Sequence, residues 1–363
     1  MKKLGIVLIL ALLFMACSRK DAGEGASGDT NSAVSFADNG RLVLYTWSEM
    51  FPPEILDGFE QDTGITIQYV NFDTNEVMFS RLVTENGGGY DLIIADDYMV
   101  ENVINEGLAQ KIESSLLSNY RNINPLYQKQ YYDPADEYTV PYGAGIQTIV
   151  YNPQYVNIPI NGYADLWKPE LANSLGIIDH FRVINGMALK VLGESYNTND
   201  LEAIQRAGTL LKLLAPNIRL IRDDELQNEL ISQEVSIAVM YTSQVTIAKM
   251  EMPELAVVFP SEGLGFGIMP AFIPLNAPNA GAAYAFLDYI LDPERGARCF
   301  EYLGYYSTFS GSDPYIKKEY KEFLTLPVNF RNFKNMEMIE NISPEAEELH
   351  NRIWIEFKSE AGR

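Results

Sequence analysis

Short apolar runs alternate with stretches of helical spacing along most of this chain. Residues 42–45 (Leu-Val-Leu-Tyr) form a continuous apolar run with a β-branched member, the pattern of a strand buried on both faces. Pro52-Pro53 then opens a helix over 53–62, with Ile55, Leu56 and Phe59 on one face. Proline suits a first helical turn because its missing N–H has no partner there, and Gly64 is placed to end the helix. Strand 65–70, helix 74–84, strand 90–95 and helix 98–106 follow. After a less regular stretch, 138–145 leads into a strand over 146–152. A second module then reads as strand 174–178, helices 183–192 and 199–214, strand 218–221, helix 223–232 and strand 235–241. Further strands are expected at 257–259 and 267–273, helices at 279–291 and 293–303, a loop at 304–307, and a helical tail from Pro344. Such alternation predicts an α/β fold with parallel sheets and right-handed crossovers.

Open sheets of this kind bind ligands at the carboxyl ends of their strands. Trp47, Ser48 and Glu49 follow the first strand, and Asp96, Asp97 and Tyr98 follow the third. Asp179 and His180 end the strand at 174–178, and Tyr241 ends the strand at 235–241. Two modules facing each other across extended crossings would form a cleft, with Trp47, Asp96 and Tyr98 on one side and Asp179 and Tyr241 on the other. An indole face, a hydroxyl and carboxylates suit a cation more than an anion.

At 363 residues the chain is comfortable as two domains. It opens with Lys2-Lys3, an apolar run over 4–15 and Ala16-Cys17, a secretory signal too short to span a bilayer permanently. Phe14-Met15-Ala16-Cys17 resembles a bacterial lipobox, with Phe14 where Leu is usual, which implies cleavage after residue 16 and a lipid on Cys17. Residues 17–40 are mostly small and polar and read as a flexible tether. Beyond Cys17 only Cys299 remains, so no disulfide can form within the mature body, and Cys299 reads as a small buried apolar residue. A net charge of −22 argues against nucleic acid as a partner and is compatible with cationic ligands.

Catalytic constellations are missing from the pattern. His180 and His350 are the only histidines, no HExxH, CxxC or G-x-S-x-G is present, and no metal or cofactor is expected. Gly87-Gly88-Gly89 lacks the Lys and Ser/Thr of a phosphate loop, and 263–267 runs straight into a strand, so neither reads as a nucleotide cradle.

Several segments together resemble the spermidine/putrescine-binding receptors of ABC importers. They are Tyr45-Thr46-Trp47-Ser48-Glu49, Tyr90-Asp91-Leu92-Ile93-Ile94, Val140-Pro141-Tyr142, Leu303-Gly304-Tyr305 and, most specific, Ala164-Asp165-Leu166-Trp167-Lys168-Pro169-Glu170. The resemblance implies a periplasmic-binding-protein fold of type II, with two lobes, central sheets and a hinge. Lobe one would be 41–149 with 269–305, and lobe two 150–268 with 306–363. It implies a lipid-anchored periplasmic receptor, not an enzyme, that hands a polyamine to an ABC permease in the cytoplasmic membrane. Trp47, Ser48, Glu49, Tyr98 and Tyr305 match the family's site, Tyr241 stands where Trp is common, and Asp96 stands where Ser is common. His180, Val183 and Met269 occupy acidic positions of the family. With Asp96, Asp97, Glu49 and Asp179 as the available replacements, a short diamine such as putrescine is expected over spermidine. Another small cationic or amino-acid-like solute on the same fold is the alternative.

Overall fold

The apolar run at the start of the body forms β1 (Arg41–Thr46), and its side chains alternate between two cores. The computed structural model describes residues 40–222, 225–321 and 336–362; the signal segment, Cys17 and the tether up to residue 39 lie outside them. Leu42 and Leu44 pack with Ile55 and Phe59 of α1 (Pro53–Thr63), while Val43 and Tyr45 pack with Met78 and Leu82 of α2 (Asn75–Thr84). Burial on both faces explains the lack of polar alternation in the run. Gly64 ends α1 with φ 73°, a left-handed residue that glycine adopts without strain.

Between these helices lies β2 (Thr66–Asn71), and β3 (Leu92–Ile94) leads into α3 (Asp97–Asn105). The long β4 (Thr139–Tyr151) follows, then β5 (Leu175–Ile177), α4 (Phe181–Val191), α5 (Leu201–Lys212), β6 (Ile218–Ile221) and α6 (Leu226–Ile231). Next come β7 (Ile237–Tyr241), α7 (Thr242–Glu251), β8 (Ala256–Val258), β9 (Gly265–Phe272), α8 (Ala280–Ile290) and α9 (Pro293–Leu303). The last described elements are β10 (Tyr306–Ser307), β11 (Glu337–Met338) and a tail helix, Pro344–Glu360.

The strand order is β2-β1-β3-β9-β4-β7-β5-β6. Each end is parallel, as expected, but β9 and β4 run antiparallel between them, so the sheet is mixed. Residues 139–146 of β4 pair with β9, and 147–151 pair with β7. One strand therefore carries the chain from one half to the other. Apolar packing follows the two halves: two cores gather α1, α2, α3, α8 and α9, and a third gathers α4, α5, α6, α7 and the tail helix. Phe309 and Ile316, expected with the second lobe, belong to the first core. The reason is local: Tyr306 and Ser307 were expected in a loop but pair with Ala144 and Gly143 of β4. Among the described residues, no helix is long and apolar enough to cross a membrane.

Candidate functional site

β1 and β3 are parallel neighbours, with Tyr45 opposite Ile93, so Trp47 and Asp96 leave adjacent strand ends. Trp47 is half-buried, its ring 4.8 Å from that of Phe72. Ser48 and Glu49 are exposed, and Glu49 takes the left-handed conformation at φ 57°. That conformation costs a non-glycine residue roughly 1 kcal/mol and persists only where the surroundings hold it. Here Tyr69 of β2 donates its hydroxyl to Trp47 O at 2.8 Å and accepts from Met50 N–H at 3.1 Å. The buried Tyr142 of β4 donates to Met50 O at 2.9 Å. Two tyrosines thus pin both sides of the turn that presents Trp47, Ser48 and Glu49.

Asp96 caps the start of α3, yet its carboxylate does not bond the helix amides. It accepts from Asn75 Nδ2 at 2.8 Å, while its own N–H donates to Asn75 Oδ1 at 3.2 Å. Burial pushes the Asp96 pKa up to about 6; the Asn75 hydrogen bond works against this and the Glu76 charge adds to it. Tyr98, half-buried, donates its hydroxyl to Glu76 Oε1 at 3.2 Å. Asp97 lies apart from this group. It is 3% exposed and accepts from the amides of Ile268 at 2.9 Å and Tyr98 at 2.8 Å, which ties α3 to β9. Both of its oxygens serve the fold, so of the two aspartates Asp96 is the one available to a solute.

The opposite strand ends differ from expectation. Asp179 is exposed but turns to the tail helix, accepting from Trp354 Nε1 at 2.9 Å and Lys358 Nζ at 3.1 Å. Its charge is already matched, which separates it from the other carboxylates. His180 accepts from Val183 N–H at 3.4 Å as the cap of α4. Burial pushes its pKa down to about 4 and Arg182 acts the same way, while Glu76 pulls it up. The Glu76 charge on one half therefore acts on His180 of the other. Tyr241 ends β7 half-buried, opposite Gln147 of β4. Tyr305 covers β4: a Cβ at Gly145 would lie 2.6 Å from its ring, and one at Gly143 would lie 2.5 Å from Met269. Glycines at 143 and 145 are what allow these side chains to rest on the strand.

Asn75, Glu76, Tyr69, Tyr142 and Arg182 were not expected here. Asn75 and Glu76 begin the helix after β2 and Arg182 the helix after β5, and each side chain meets a partner distant in sequence.

Solved structures share this fold. A putative spermidine/putrescine ABC transporter protein from Listeria monocytogenes matches with a TM-score of 0.81 at 27% identity, covering 88% of this chain and 99% of that one. The spermidine/putrescine transporter substrate-binding protein of Streptococcus pneumoniae matches at 0.77 with 30% identity, covering 88% and 99%. The fold is therefore that of the periplasmic binding proteins. A family model described as bacterial extracellular solute-binding protein matches residues 54–325. The spermidine/putrescine-binding periplasmic protein of Salmonella typhimurium is 35% identical over 289 residues, 79% of this chain and 83% of its own length. This chain belongs to the bacterial extracellular solute-binding proteins, in the family of the spermidine/putrescine-binding periplasmic proteins.

Proposed function

We propose that this chain captures a polyamine outside the cytoplasm and presents it to an ABC permease in the cytoplasmic membrane, tethered by a lipid on Cys17. The ligand stacks on Trp47 and is flanked by Tyr98, Tyr241 and Tyr305, with ammonium groups on Ser48, Glu49 and Asp96. Binding draws the two halves together about β4, and the permease recognises the closed form.

The observation that carries this reading is a carboxylate beyond each of two adjacent strand ends, Glu49 after β1 and Asp96 after β3, with the half-buried indole of Trp47 on the first. Charge then decides ligand length. An ammonium removed from water without a partner costs several kcal/mol, whereas a cation–π contact returns about 0.5–2 kcal/mol. Across the site, Asp179 is matched by Lys358, His180 is neutral near pH 7 and Val183 is apolar, and on the near side Met269 of β9 is apolar too. Only one half offers carboxylates, which favours a short diamine over spermidine.

Isothermal titration with putrescine and spermidine tests this. Tighter binding of putrescine is the expected result, and undetectable binding of both removes the polyamine reading. Arg182 favours a second reading: it is a buried cation on the opposite half, held by Tyr196 O and Glu340 O at 3.2 and 3.1 Å, and the charge of Tyr98 acts on its ionisation. An amino-acid-like solute would set its amine on Asp96 and its carboxylate toward Arg182. Including small amino acids in the titration separates the two.

A further inference from the structure

Asn75 begins α2 and is 6% exposed. Its carboxamide works in two directions. Nδ2 donates to Asp96 Oδ2 at 2.8 Å and to Tyr98 Oη at 3.1 Å, and Oδ1 accepts from Asp96 N–H at 3.2 Å. A carboxamide is suited to this because donor and acceptor sit in one rigid plane. Asn75 is itself held, since Thr74 Oγ1 caps the same turn by accepting from Val77 N–H at 3.2 Å. Among the described residues no hydrogen bond reaches the other Asp96 oxygen, Oδ1.

We propose that Asn75 is a positioning residue of the solute site: it fixes the Asp96 carboxylate by one oxygen, leaves the other for the ligand's ammonium, and sets Tyr98 beside it. The inference rests on the cationic ligand proposed above. Asn75 also favours the ionised form of Asp96, the form that binds an ammonium. The other groups around Asp96 are Glu76 on α2 and Asp97 and Tyr98 on α3; His180 and Arg182 approach Glu76 and Tyr98 from the opposite half. Of the two aspartates Asn75 bonds only Asp96, since the Asp97 oxygens accept from the Ile268 and Tyr98 amides. The difference between two pH profiles therefore reports Asp96.

The experiment is titration of the full chain with putrescine from pH 5 to pH 8.5, for wild type, Asn75→Ala and Asn75→Asp. Losing a hydrogen bond to a charged group weakens binding about tenfold or more. For Asn75→Ala this loss is expected to be largest near pH 5.5 and smallest at pH 8.5, because the midpoint of the profile moves upward. Asn75→Asp keeps the side-chain size and places a second carboxylate beside Asp96, so its midpoint should move at least as far. Wild-type binding with an unmoved midpoint in both variants overturns the role of Asn75 alone. A loss of affinity that is uniform in pH and tracks a lower melting temperature also overturns it, since that is what a purely structural residue would give. No binding of putrescine by the wild type overturns the cationic reading, and this role with it.

Discussion

Replacing Asp96 with Asn should stabilise the ligand-free protein while weakening its function. The amide keeps the shape of the carboxylate and can still accept from Asn75 Nδ2. The folded-state pKa of Asp96 is about 6, whereas an unfolded aspartate titrates near about 3.9. Folding therefore favours the protonated acid. The contribution of Asp96 to stability is greatest below about pH 4 and is lost as pH rises through about 6. At about 1.4 kcal/mol per pH unit, the wild type gives up as much as about 3 kcal/mol by pH 8. Asp96→Asn avoids that loss, so its melting temperature should match the wild type near pH 4 and exceed it by a few degrees at pH 8. Differential scanning calorimetry of ligand-free protein at both pH values measures the gap. With saturating putrescine the order should reverse at pH 8, because only the wild type gains a paired charge. A gap that does not grow between pH 4 and pH 8 would refute the claim that an uncompensated carboxylate is buried at this strand end.

Other expectations follow from the same geometry. Trp47→Ala should weaken putrescine binding about 2- to 30-fold, the range set by one cation–π contact, with melting lowered by only a few degrees; unchanged affinity in titration would place the solute elsewhere. Asp179→Asn should leave affinity within about twofold, since Lys358 and Trp354 already hold that carboxylate; a tenfold loss would return Asp179 to the site. His180→Glu adds the carboxylate that the opposite half lacks, so the ratio of spermidine to putrescine affinity should rise, and an unmoved ratio counts against charge placement as the determinant of ligand length.

The sequence was most informative where a feature depends on near neighbours. A run such as Leu42 to Tyr45 has one physical explanation, and the residues just after it are fixed to a strand end. The placement of Trp47, Glu49, Asp96 and Tyr98 just beyond two neighbouring strands was legible for that reason. Strand direction was not, because an apolar run over 265–272 reads the same parallel or antiparallel. Helix α7 was missed because its buried Thr242, Gln244 and Thr246 leave no apolar stripe to detect. The orientation of Asp179 depends on Trp354 and Lys358, far along the chain, and that of Asp96 on Asn75. Such rotamers are decided by tertiary partners, which no local pattern encodes.

Cys299 carries a practical consequence. It is fully buried in α9, and burial pushes its thiol pKa up to about 12. Almost no thiolate exists at neutral pH, and thiol reagents act on the thiolate. Apart from Cys17, it is the only cysteine in the chain. The folded body therefore offers a chemically silent background for maleimide labelling. Fluorophores on Val83→Cys and Tyr155→Cys, 49% and 52% exposed on the two halves, would report solute-driven changes in separation with no competing label at Cys299.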